Sequence, residues 1–153
     1  MIQSLQQSVK SVIDDGRIGS PVFLRCMVQE HTERVNTVEG IAALIALANS
    51  WMPSPLEQLY VLSSADATQA TTTVQYAGGQ MAILSVNRIP DNQEAAVDLT
   101  LIGNKGAIYH ETPVGQHRLM SAPLELSGGE ELVDLIERAM KTGKPVNNPD
   151  LGG

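Results

Sequence analysis

The chain carries few of the side chains that do chemistry. Its 153 residues include one cysteine, one tryptophan, one phenylalanine, three tyrosines and three histidines. A lone cysteine excludes an intramolecular disulfide and makes a cysteine-built zinc site untenable. Cys26 lies in the apolar run Val22-Phe23-Leu24-Arg25-Cys26-Met27-Val28 and reads as a buried structural thiol. Aromatics make up 3% of the chain, so the core must rest on Leu, Ile, Val, Met and Ala. Ten Lys and Arg stand against seventeen Asp and Glu, for a net charge of −7, and the cations are scattered. Nucleic acid and anionic membrane are therefore excluded as expected partners, since both are held through clustered cations. The longest apolar run, 41–48, falls far short of the roughly 20 residues that cross a bilayer. The first ten residues hold no apolar signal segment, and the expected location is the cytoplasm. There is no glycine-rich phosphate loop and no G-x-S-x-G. No cofactor is expected from any motif.

What is present is periodicity. Leu5, Val9, Val12 and Ile13 share a helical face over 4–15, and Gly16 stops that helix. Gly19-Ser20-Pro21 turns the chain into a strand over 22–30, apolar at both parities. A polar connection leads to a second helix over 38–52, with a wide stripe of Ile41, Leu44, Ile45, Ala48, Trp51 and Met52. Pro53 and Pro55 end it. The period then becomes two. Strands are predicted over 56–64, 69–76, 80–88, 95–102 and 107–111, with turns at 77–79 and 103–106 and a weaker strand at 118–120. A last helix spans 130–142, stopped by Gly143. Helices beside a meander of antiparallel strands make a single α+β domain over 1–153, a largely antiparallel open sheet with two to three helices on one face. The other face needs cover. On the strand over 80–88, Met81 and Ile83 occupy one side and Ala82, Leu84 and Val86 the other. The second set is taken as the oligomer face, and a homo-oligomer, simplest as a dimer, is the expected partner.

Four segments together carry a family pattern. Ile13-Asp14-Asp15-Gly16-Arg17-Ile18-Gly19-Ser20-Pro21-Val22 resembles the lead-in to the C-terminal domain of the Gfo/Idh/MocA oxidoreductases, the glucose-fructose oxidoreductase and inositol dehydrogenase family. Val74-Gln75-Tyr76-Ala77-Gly78-Gly79-Gln80-Met81-Ala82 is similar to its hairpin, and Leu99-Thr100-Leu101-Ile102-Gly103-Asn104-Lys105-Gly106-Ala107-Ile108 to its glycine turn. The segment 131–145, ending Lys141-Thr142-Gly143-Lys144-Pro145, resembles its late helix and close. The resemblance covers 10–146 in family order. It implies a nucleotide-binding Rossmann domain ahead of this one, and no such half precedes it in this sequence.

The resemblance also places an Asp, a His and a second Asp on the helix over 38–52. Registered on Trp51 and Pro55, those positions carry Gly40, Leu44 and Leu47, none of which titrates. No histidine lies between His31 and His110, so a one-residue shift restores nothing. The enzyme expectation therefore leans to no. Glu30, His31 and Arg34 are candidate ligand contacts at a strand end; the plainer reading is a solvated loop of mixed charge. His110 and His117 with Glu111 are set against an ordinary surface hairpin. Arg25 and Arg88 lie on strands, either paired with a neighbouring acid or facing an acidic ligand. No residue is assigned as catalytic, cofactor-binding or metal-ligating. The leading expectation is an oligomeric module, non-catalytic alone, that binds a small molecule or a protein. The alternatives are the substrate-binding subunit of a split NAD(P)-dependent oxidoreductase, with a separate Rossmann-type subunit, and a purely structural assembly subunit.

Overall fold

The computed structural model describes residues 5–31, 36–111 and 126–148. Helix α1 is Leu5–Asp14, strand β1 Pro21–His31 and helix α2 Thr37–Trp51. Strands β2 Leu56–Ser63, β3 Gln69–Tyr76, β4 Met81–Ile89, β5 Ala96–Gly103 and β6 Ala107–Glu111 follow. A 3₁₀ turn at Glu130–Leu132 leads into α3 Val133–Thr142, and β7 is Val146–Asn147. The predicted strand at 118–120, His117 and Arg34 lie outside the described residues.

The strands form one seven-stranded sheet in the order β6-β5-β1-β4-β3-β2-β7. Neighbours are antiparallel except β1 and β4, which pair in parallel from Phe23↔Met81 to His31↔Ile89. The expected α+β class and largely antiparallel open sheet are what the molecule has. The parallel pair follows from the long connection after β1: β2, β3 and β4 form their own meander, which then docks alongside β1.

The helices cover one face of the sheet. Leu24, Cys26 and Val28 from β1, Ala82, Leu84 and Val86 from β4 and Leu99 and Leu101 from β5 join Ile41, Leu44 and Ile45 of α2 in one core. Asn36 caps α2, its Oδ1 accepting from the Glu39 amide at 2.8 Å. That helix is apolar nearly all round, the composition of a helix covered on every side. It lies on the sheet with α3 beside it, α3 packing on β2 as well, and Leu126 and Leu132 pack on the same core. Gly129 (φ 81°) sits so close to the Ala42 carbonyl that a Cβ there would lie 2.2 Å from its oxygen.

Two of the family-like segments dock on each other. The Ser20 amide donates to Asn104 Oδ1 at 3.0 Å, the Asn104 amide to the Ser20 carbonyl at 3.1 Å, and the Lys105 amide to the Ile18 carbonyl at 2.8 Å. A Cβ at Gly103 would stand 2.0 Å from the Ile18 oxygen, so this close approach requires glycine.

Candidate functional site

Ala82, Leu84 and Val86 are fully buried beneath the helices, each at 0% exposure. Their side chains are therefore not open to a partner as the sequence reading expected. Both parities of β4 are apolar, so alternation alone does not say which side the helices take. The face of β4 that no described helix covers carries Met81, Ile83 and Asn87, all half-buried, and Ser85, which is buried.

The uncovered face is laid out by the register. One row across the sheet reads Tyr109, Thr100, Arg25, Ile83, Thr73, Tyr60. The next reads Glu111, Asp98, Met27, Ser85, Thr71, Leu62. Phe23, Met81 and Ile102 extend the apolar part at one end. Tyr109 is 74% exposed and Leu62 56%, large apolar side chains left without cover by the described residues. A hollow of about 180 Å³ opens on this face, walled by Met27, Gln29, Ser85, Asn87, Asp98 and Glu111 among others.

On the helix side, a second cavity of about 300 Å³ opens at the N-terminal end of α2. Asn36, Thr37, Glu39, Arg88 and Glu137 supply its polar wall, and Val38, Ala67, Val133 and Met140 its apolar wall. Arg88 belongs to the helix-side parity of β4, opposite Glu30 of β1. The sequence left Arg88 open between pairing and ligand contact; its signal was there in its two-residue step from Val86. Thr37 donates to the Ala67 carbonyl at 2.5 Å and so ties α2 to the β2–β3 loop. In that loop Asp66 accepts from Ser64 and from Thr68, which holds its carboxyl below the usual range.

His31 and Glu30 line neither cavity. The His31 ring, through Nε2, bonds the Gln93 carbonyl at 2.7 Å, and its amide donates to Glu30 Oε1 at 2.9 Å. Glu30 also lies 3.6 Å from His31 Nδ1. The pair pins the β4–β5 loop to the end of β1.

On α2, Gly40 and Leu44 are buried and Leu47 is half-buried against the core. Near the C-terminal end of that helix, Asn49 accepts from the Tyr76 hydroxyl at 2.8 Å. Burial pushes that phenol up from its ordinary value. The Cys26 thiol is pushed up to about 12, by burial first and by the charge of Asp98 second, so it is inert as a nucleophile. Among the described residues no three His, Cys, Asp or Glu are grouped to hold a metal ion. No helix there is long and apolar enough to cross a membrane.

No protein-family model matches the sequence, and no curated protein matches it. Solved structures do match in fold. A myo-inositol dehydrogenase from Lactobacillus casei, solved with NAD(H) and myo-inositol, aligns with a TM-score of 0.67 at 12% identity over 94% of this chain and 58% of its own. A myo-inositol dehydrogenase from Corynebacterium glutamicum aligns at 0.65 and 12% identity, over 93% and 60%. The apo scyllo-inositol dehydrogenase from Lactobacillus casei aligns at 0.64 and 14%, over 93% and 60%. The chain thus spans about three fifths of the length of these neighbours. They are dehydrogenases of the Gfo/Idh/MocA type, and the resemblance carried by the four sequence segments holds at the level of fold.

Proposed function

We propose that this chain is a Gfo/Idh/MocA-like sheet domain, a single body over 1–153, that performs no hydride transfer alone. It self-associates through the uncovered sheet face and binds a small molecule or a protein. The observation that carries this reading is the state of α2. Where the family resemblance calls for proton-transfer side chains, the helix has Gly40, Leu44 and Leu47, packed into the core. A leucine moves no proton. The residues also do not fit a nicotinamide dinucleotide: the segment from the end of β1 to the cap of α2, Glu30-His31-Thr32-Glu33-Arg34-Val35-Asn36, has no glycine to let a backbone approach a pyrophosphate. It carries two carboxylates that repel one.

The uncovered face supports the self-association half of the reading. Its apolar corrected set is Met81 and Ile83 with Phe23, Met27, Ile102 and Tyr109. Calorimetric titration of the 153-residue chain with NADH and with NADPH tests the absence of redox function. No heat of binding is expected up to 100-fold excess, and micromolar binding of either contradicts the proposal.

The 300 Å³ cavity favours one second reading, a substrate-binding subunit for a Rossmann-type protein encoded apart. Its mixed wall of Thr37, Glu39, Arg88 and Glu137 suits a polyhydroxylated ligand. Co-purification of a stoichiometric NAD(P)-binding partner supports that reading, and titration of the chain with inositols reports on the cavity directly.

A further inference from the structure

The cavity at the start of α2 is charged in a pattern that narrows what it takes, and this inference rests on the small-molecule half of the reading proposed above. Four elements converge on it. The first turn of α2 brings Glu39 and the end of β4 brings Arg88. Helix α3 brings Val133, Glu137 and Met140, spaced four and three apart and so on one helical face. The β2–β3 loop brings Ala67, and that loop is held under strain at the rim. Ala67 has a φ of 58°, the left-handed region that a residue with a Cβ avoids. Three hydrogen bonds fasten it there. Thr37, itself only 4% exposed, donates to the Ala67 carbonyl, the Ala67 amide to the Ser64 carbonyl at 3.0 Å, and the Arg88 amide to the Thr68 carbonyl at 2.7 Å. Strain kept by so many bonds marks a positioned rim rather than a slack loop.

The charged side chains of the wall are Arg88, Glu39 and Glu137. Arg88 comes from the sheet, and the two carboxylates come from the neighbouring helices α2 and α3. Neither Glu39 nor Glu137 enters an ion pair among the described residues. A neutral polyol answers the hydrogen-bonding groups of such a wall and leaves its charges without counterparts. A ligand with a carboxylate and an ammonium answers both. The guanidinium is a planar fork that fits a carboxylate. An ammonium carries three donors, enough to reach two carboxylates at once. The apolar part of the wall, with Val38, Val133 and Met140, offers a surface for an aliphatic side chain. A volume of about 300 Å³ is at the small end for a ligand site, which suits a single amino acid and not a peptide or a nucleotide.

We propose that this cavity binds a free aliphatic α-amino acid as its zwitterion, the carboxylate on Arg88, the ammonium between Glu39 and Glu137, and the side chain against Val38, Val133 and Met140. The test is calorimetric titration of the 153-residue chain with L-leucine, with backbone amide shifts in NMR spectra to locate the site. Two analogues each remove one charge and keep the side chain: isocaproate lacks the ammonium, and isoamylamine lacks the carboxylate. L-Leucine is expected to bind with a Kd of about 1 mM or tighter and to move the amides of Val38, Ala67 and Met140. Each analogue is expected to bind weaker by roughly tenfold or more. Glu137→Gln, at an exposed position where folding is not at stake, weakens leucine binding roughly tenfold and leaves that of isocaproate unchanged. Equal affinity for leucine and its analogues, or amide shifts confined to residues elsewhere, overturns the inference. Binding of myo-inositol with none of leucine also overturns it and leaves a small-molecule cavity standing. Binding of neither overturns both the inference and the small-molecule half of the reading.

Discussion

Cys26 shows how one residue records its surroundings. Its thiol is buried at the centre of β1, and its ionisation is pushed from 9.0 to about 12. The unfolded chain therefore loses this proton first as pH rises. Stability from this group is complete below pH 9 and declines between 9 and 12, with a slope of at most about 1.4 kcal/mol per pH unit. Tyr76 adds a decline of the same sign above 10. Urea unfolding of Cys26→Ala at pH 8, 10 and 11 is expected to show a shallower fall than the natural chain. Gly129 gives a steric counterpart. Gly129→Ala combines left-handed strain with a collision on the Ala42 carbonyl, a loss of about 2–4 kcal/mol. Gly128→Ala meets nothing within 4 Å at a similar φ of 89° and should lose only about 1 kcal/mol. Thermal melts of the two variants separate clash from strain.

At the scale of the element, β4 decides how the sheet is used. Leu84→Glu places a charge at 0% exposure in the core and is expected to abolish folding by circular dichroism. Ile83→Glu, one residue away on the uncovered face, is expected to leave the melting temperature within a few degrees and to yield monomers on sedimentation. If the two outcomes were exchanged, the assignment of faces would be wrong. The strand itself was legible from its run of apolar residues, but its orientation was not. Met81 and Ile83 are about as apolar as Ala82, Leu84 and Val86, and the sheet uses one set for its helices and leaves the other open. Helix α2 was legible throughout, because its stripe and its proline stop are both local. Capping by Asn36 is local too, and Asn36→Ala should cost about 1 kcal/mol. The role of His31 was not legible, since its partner Gln93 lies on a loop 62 residues away.

For the whole molecule, the class and strands β1 to β6 followed from periodicity, whereas the short strand β7 and the parallel pairing of β1 with β4 did not. Nothing local to either strand distinguishes a parallel neighbour from an antiparallel one when both are apolar on two sides. The cavity at the start of α2 was equally hidden, being assembled from α2, α3, β4 and the β2–β3 loop. In the proposed assembly the uncovered sheet face is closed by another copy. Sedimentation equilibrium of the 153-residue chain between 1 and 100 µM measures that directly. The predicted result is a species of about 33 kDa, twice the chain mass of 16.4 kDa. A single species of 16.4 kDa across the range would contradict it.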